Sequence, residues 1–456
     1  MSEIIFSVSG VRGIYGETLT LPVTVHYTLA YARFCRGNSK SRKIVVGLDG
    51  RLKGDEIHAV VVYTLALSGF EVIDIGVAPT PTVQLAVEKL KAAGGIAVTA
   101  SHNPQQWNGL KFLDSDGTFL KSRQIEKIKE YIKEGYFNFV RPESKLNITR
   151  DDTWLKKHVD LVLKSGFVNA GRIKRRKFKV VVDAVNSSGS VIIPMLLKKL
   201  GCEVIELYCD GSGKFPHLPE PLPQNLTLLS KAVKARKADV GFAIDPDGDR
   251  LVLICEDGKP FIEENTIVTA IRGALRNAKS RTKNVVVNMS TTRAAEDVTK
   301  EFGGQILRTA VGEINVVNGM RKRKAIIGGE GSGGVIVPKV HYGRDAMVGA
   351  ALILNELANF KGAISEYKKT IPEYFIVKTK IETKGDPGKL LKRIEREYSK
   401  KKCKISVIDG VKIDFPDYWI HLRKSNTEPI IRIITEARSM KEAERIQKEF
   451  LAGLKI

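Results

Sequence analysis

Three short polar runs in this 456-residue chain hold residues able to do chemistry. The first is TASHNP at 99–104, followed by NGLK at 108–111; it supplies Ser101, His102 and Lys111. A serine just after a parallel strand sits where ligands bind in open α/β sheets, outside the carboxyl ends of the strands. Serine alone is a weak nucleophile and needs a base or a metal beside it; His102 and Lys111 are candidate proton carriers. Taken by itself, the run reads more simply as a Ser/Asn-Pro turn joining a strand to a loop.

The second run, DPDGDR at 245–250, changes that balance. Asp245, Asp247 and Asp249 repel one another unless a cation neutralises them, and hard oxygen ligands suit Mg²⁺ or Ca²⁺. An EF-hand is the obvious rival, with Glu256 at the twelfth position. It fails because Arg250 stands where glycine is required and the flanks read as strands. A solvated acidic turn is the simpler alternative. The third run spans 423–432 and offers two guanidinium groups, Arg423 and Arg432, with Ser425, Asn426 and Thr427 between them. Arginine forks match phosphate oxygens, and consecutive backbone N–H groups form anion nests; a polar hairpin between strands is the alternative. A glycine-rich stretch at 328–334 carries Glu330 and Ser332, which could bond sugar hydroxyls. It has neither the dinucleotide-binding nor the P-loop pattern.

Positioning such loops needs several domains. The length implies three or four, and 43% hydrophobic content is enough for buried sheets. No run approaches the ~20 apolar residues of a membrane span. The first residues lack the basic and apolar regions of a secretory signal. Five cysteines without CxxC spacing argue against disulfides and thiolate metal sites. The expected location is therefore the cytoplasm. A net charge of +23 admits nucleic-acid binding, attraction of anionic metabolites or a lysine-rich surface. The basic runs at 174–177 and 321–324 are not interleaved with aromatics, so a solvated basic face is favoured over nucleic acid.

Strand, helix, strand alternation is expected over 44–48, 55–70, 72–75, 83–93 and 96–99. It recurs over 178–182, 190–200, 203–208, 226–236 and 239–244, and again over 284–288, 293–302, 305–307, 314–320 and 325–327. These units imply three α/β domains with mixed, largely parallel sheets. Strands over 373–382, 404–407, 411–415 and 430–434, with helices over 387–399 and 440–456, imply a C-terminal α+β domain. The expected domains are 1–148, 149–250, 251–364 and 365–456, with linkers near 144–150 and 359–364.

The loops, in this order and at these separations, resemble the α-D-phosphohexomutases, which include phosphoglucomutases, phosphomannomutases and phosphoglucosamine mutases. The likeness runs nearly end to end and includes SGVRG at 9–13, GLDGR at 47–51, APTP at 78–81 and SNTEP at 425–429. It implies four domains around a central cleft. It also implies that Ser101 is carried as a phosphoserine, whose phosphate completes a Mg²⁺ site formed by Asp245, Asp247 and Asp249. The phosphoryl group passes to a monophosphorylated sugar, giving a sugar 1,6-bisphosphate that turns around and returns its other phosphoryl group. Lys111 would be the general acid/base, with His102 and Arg12 beside the transferring phosphate and Arg250 neutralising it. Glu330 and Ser332 would hold sugar hydroxyls, while Arg423, Ser425, Asn426, Thr427 and Arg432 would grip the distant phosphate.

One departure stands out. Many members have histidine where this chain has Gly334, and His341 is a candidate replacement as proton carrier. The ASHNP run at 100–104 and DGT at 116–118 are most like phosphoglucosamine mutases, so glucosamine 6- and 1-phosphate are the expected substrates. Glucose and mannose phosphates are the alternative with the same mechanism. A Mg²⁺-dependent sugar phosphatase and a nucleic-acid-binding protein are the rivals of other classes. The expected partner is a small phosphosugar, and the expected assembly is a monomer or homodimer.

Overall fold

Four sheets follow one another along the chain in a computed structural model that describes residues 4–135, 146–280, 282–382, 385–424 and 430–454. The first has seven strands. Lys43–Leu48, Glu71–Val77, Gly94–Val98 and Ile148–Arg150 run parallel. Ile5–Ser7, Gly10–Ile14 and Trp107–Leu113 add an antiparallel edge. The alternation expected there is present, but parallel pairing covers only half of that sheet. The linker expected near 144–150 is corrected as well, because Ile148–Arg150 pairs with Glu71–Val77. Its three residues are too short for a periodicity to be seen, and the pairing that makes them a strand is non-local.

The second and third sheets have four strands each, with parallel centres and one antiparallel hairpin. In each, the hairpin strand continues straight from a central one: Val240–Ile244 into Leu251–Cys255, which carries the second unit past the boundary expected at residue 250, and Ile327–Glu330 into Gly334–Ile336. The loops at those two hairpins carry the three aspartates and the run with Glu330 and Ser332 expected to meet sugar. The third unit's last strand begins at Ile327, so residues 325 and 326 lie before it. Two helices that sequence periodicity left unassigned, Glu263–Asn277 and Ala346–Leu357, pack on each other. Ala346–Leu357 is buried on every side, and an all-round apolar helix shows no amphipathic stripe to read. Together they merge the second and third units into one hydrophobic core running from Val159 to Ile371.

The C-terminal sheet is antiparallel throughout, five strands ordered so that Phe375–Glu382 and Ile430–Ala437 lie side by side. Helices Pro387–Tyr398 and Met440–Gly453 cover one face and close a separate core. Trp419–Lys424 is a further strand here, one not among the strands expected from the sequence. Residue 364 starts a helix, Ile364–Lys368, rather than ending a linker. All five cysteines are free. Among the described residues, no helix is long and apolar enough to cross a membrane.

Candidate active site

Ser101 is placed by strand Gly94–Val98, at whose end Thr99 turns the chain. The Thr99 hydroxyl accepts from the Ser101 N–H at 2.8 Å and donates to Asp49 at 2.6 Å. Arg51, fully buried in an ion pair with Asp49 at 2.8 Å, donates to the Ser101 carbonyl. The GLDGR run therefore builds the floor of the serine turn. These bonds hold Ser101 at φ +52, a left-handed conformation that costs a non-glycine residue about 1–3 kcal/mol. Its Oγ lies 3.3 Å from His102 Nδ1 and 3.5 Å from Asp245 Oδ2.

The next strand, Trp107–Leu113, returns antiparallel and sets Lys111 opposite Ala97. Lys111 Nζ reaches Asp247 Oδ2 at 2.5 Å and Asp249 Oδ2 at 3.5 Å. Those aspartates sit in the hairpin loop 245–250, which the APTP run secures: Thr80 donates its N–H to the Asp247 carbonyl and its hydroxyl to Asp247 Oδ2, each at 2.8 Å. Asp245 Oδ1 accepts the N–H groups of Asp249 and Arg250 at 3.1 and 3.0 Å. Burial and two neighbouring carboxylates push the Asp245 carboxyl well up. Asp247 is equally buried, but Lys111 and Thr80 hold it low.

A divalent cation fits this loop. One ligand atom from each aspartate can be chosen so that all three lie within 4.8 Å of one another. Asp247 Oδ1 and Asp249 Oδ1 are buried with no hydrogen-bond partner. Leaving such oxygens dry and unpaired is costly, and a hard cation with oxygen ligands removes that cost. The EF-hand reading is closed off too, since Glu256 bonds Ser365 instead.

Around this loop lies a cleft of about 950 Å³. It is lined by Arg12, Ser101, His102, Lys111, Arg250, Glu330, Ser332, Arg423 and Arg432, with the three aspartates buried beneath. All four sheets contribute to it. Arg12 donates to Asn103 Oδ1 at 3.0 Å. Burial, Arg250 and Arg12 together lower the His102 pKa to about 2, so its imidazole is neutral at physiological pH. Arg423 and Arg432 stand opposite each other on adjacent strands, and Arg423 pairs with Asp409 at 2.7 Å. Ser425, Asn426 and Thr427 lie outside the described residues.

Glu330 ends strand Ile327–Glu330 and accepts from Asn288 at 2.9 Å and the Gly312 N–H at 3.0 Å. Its other oxygen meets Arg344, which the sequence reading missed. Glu313, Glu264 and Lys378 also line the cleft unforeseen. The one available signal for Arg344 was an Arg-Asp pair directly before an apolar run.

His341 does not replace the histidine absent at Gly334. It is 3% exposed and does not line the cleft. Its Nε2 lies 3.2 Å from Asp345 Oδ2, an oxygen that also takes His158 Nε2 at 2.8 Å. Asp345 Oδ1 caps helix Ala346–Leu357, and Thr82 covers His158 Nδ1 at 2.9 Å. These bonds form a polar clamp between the first unit and the merged core.

Comparisons with known proteins agree with this architecture. Four family descriptions match in chain order: Phosphoglucomutase/phosphomannomutase alpha/beta/alpha domain I over residues 3–139, domain II over 156–258, domain III over 263–375 and the C-terminal domain over 377–453. A phosphoglucomutase/phosphomannomutase of Thermococcus kodakarensis is 34% identical over 99% of this chain and 98% of that protein. A probable phosphoglucosamine mutase of Methanopyrus kandleri is 33% identical over 98% and 96%. The crystal structure of a phosphoglucomutase/phosphomannomutase family protein from Burkholderia thailandensis superposes with a TM-score of 0.86 at 28% identity, covering 99% of this chain and 98% of that one. The chain belongs to the phosphoglucomutase/phosphomannomutase family.

Proposed function

We propose that this protein is a phosphohexomutase that interconverts hexosamine 6-phosphate and 1-phosphate through a phosphoserine at Ser101 and a sugar 1,6-bisphosphate. The observation that carries the reading is the neighbourhood of the Ser101 hydroxyl. It faces Asp245 at 3.5 Å within a cleft that Arg423 and Arg432 also line. In the first half-reaction the P–O bond to Ser101 Oγ breaks and a P–O bond to a sugar hydroxyl forms. The hydroxyl proton ends on Ser101 Oγ, and Lys111 is the side chain that relays it, with His102 beside the transferring group. In the second half the bisphosphate, turned around, gives its other phosphoryl group back to Ser101.

Arg12 and Arg250 neutralise the transferring group, and Asp245, Asp247 and Asp249 would hold Mg²⁺. The ion, when bound, supplies charge neutralisation for phosphoryl oxygens. Chemistry of this kind depends on positioning and electrostatics more than on new covalent machinery. Glu330 and Ser332 hold ring hydroxyls, and Arg423 and Arg432 grip the phosphate that is not transferring. A clamp that reads phosphate rather than the ring accepts either end of the bisphosphate. It also leaves glucose and mannose phosphates as secondary substrates. The hexosamine preference rests on the ASHNP and DGT runs and on a relative named as a probable phosphoglucosamine mutase.

The test is an interconversion assay with Mg²⁺ and a catalytic amount of sugar bisphosphate. It compares glucosamine, glucose and mannose phosphates, with Ser101→Ala as control. Interconversion fastest with glucosamine phosphate and absent in the variant is expected. Release of inorganic phosphate in place of the isomer would make the enzyme a phosphatase.

A further inference from the structure

Arg344 joins three parts of the site that are far apart in sequence. Its Nη2 lies 2.6 Å from Asp249 Oδ2 in the aspartate loop, and its Nη1 lies 2.5 Å from Glu330 Oε2 in the sugar loop. Its Nε lies 3.1 Å from Glu313 Oε2 in the first turn of helix Glu313–Arg323. The side chain is 12% exposed and lines the cleft. Out of water, this one guanidinium offsets the mutual repulsion of three carboxylates and is the group that holds them together.

Two further features show that the fold makes room for this fork and fixes it. Gly334 pairs with Glu330 across the sugar hairpin, and a Cβ there would meet Arg344 Cδ at 2.3 Å. The absence of a side chain at 334 is what lets the arginine stem cross the hairpin. Next to it, Asp345 is held at both ends, by the helix it caps and by the two buried histidines. The backbone from which Arg344 springs is therefore anchored beside the fork.

We propose that Arg344 is a positioning residue that couples the aspartate loop to the sugar loop, so that divalent-cation binding at Asp245, Asp247 and Asp249 orders the segment around Glu330. The inference rests on the reading of these two loops as metal and sugar sites. One planar group with separate Nη donors transmits a shift of Asp249 directly to Glu330. Lysine, a single point charge, cannot hold both carboxylates in register. The coupling also acts in reverse, as linkage requires.

The test needs neither sugar nor turnover. Hydrogen exchange of backbone amides is measured in the full-length protein with and without MgCl₂, in wild type, Arg344→Lys and Glu330→Gln. In wild type, Mg²⁺ should slow exchange at the aspartate loop and also, by about fivefold or more, at residues 331–334. In Arg344→Lys the aspartate loop should still respond while the response at 331–334 disappears. Glu330→Gln, which keeps the side-chain shape, should lose the same response and serves if Arg344→Lys does not fold. An equal sugar-loop response in both variants, or no such response in wild type, would overturn the proposal. A protein that passes this test yet fails to interconvert sugar phosphates would retain the coupling and lose the mutase reading, so the two failures are distinct.

Discussion

Lys111 shows how closely chemistry and stability are tied at this site. Its ammonium is buried against Asp247 and Asp249 and balances part of a charge that three adjacent aspartates could not hold alone. Removing one partner of a buried ion pair leaves the other uncompensated, at a cost of about 3–5 kcal/mol. Lys111→Ala is therefore expected to lower kcat by about 10²-fold or more, as the loss of a proton carrier does. It should also unfold at lower temperature without metal and recover more stability from MgCl₂ than wild type does. A thermal scan with and without Mg²⁺ checks this, and equal metal responses would contradict it. Ser101, Lys111 and the aspartates were legible in the sequence because nucleophile, cation and clustered carboxylates are uncommon in such short loops. Arg344 and Glu264 were not, since a lone charged residue gives no spacing to read and its role depends on which distant carboxylate or loop it meets.

The secondary elements place these side chains through their ends. Strands Gly94–Val98, Val240–Ile244 and Ile327–Glu330 each deliver a functional loop at the carboxyl end, the edge where open α/β sheets bind ligands. Such strands are short, apolar and bounded by turn residues, so the sequence marked them well. Ile148–Arg150 and Trp419–Lys424 escaped because one is three residues long and the other mixes polar with apolar residues. The His158–Asp345–His341 clamp ties helix Trp154–Lys164 to the start of helix Ala346–Leu357. His158→Ala breaks its shortest bond and should cost about 3–5 kcal/mol in urea unfolding. His341→Ala should lower kcat far less than Lys111→Ala does, since His341 lies outside the cleft. A large loss of turnover in His341→Ala at unchanged stability would restore it as a proton carrier.

Across the whole molecule the cores are unequal. The second and third units share one, whereas the C-terminal domain closes its own and meets its neighbours through polar contacts. Lys412 donates to the Met289 carbonyl at 2.8 Å, His421 meets Ser290 at 3.0 Å and Asp409 accepts the Val311 N–H at 2.9 Å. Polar interfaces of this kind permit domain motion, and a phosphate clamp on that domain, as proposed for Arg423 and Arg432, would use it. Small-angle scattering should show a smaller radius of gyration when glucosamine 6-phosphate is added; superimposable curves would contradict closure. Glu264, at the junction of the sugar loop and the C-terminal domain, is pushed up to about 7 by burial, only partly offset by Lys378. A carboxyl raised on folding binds more protons in the folded state, so stability falls as pH rises from about 4.5 to about 7. Glu264→Gln should remove up to about 3 kcal/mol of that slope, read from urea unfolding at several pH values. An unchanged slope would mean that Glu264 is ionised throughout.

The central claim is that Ser101 carries the phosphoryl group. Metal-loaded protein incubated with glucose 1,6-bisphosphate, quenched and digested, can be read by mass spectrometry at the peptide containing residue 101. One phosphoryl group on Ser101, lost on incubation with hexose monophosphate and absent from Ser101→Ala, is the predicted result. Interconversion of sugar phosphates with Ser101 never modified, or undiminished in Ser101→Ala, would contradict the account.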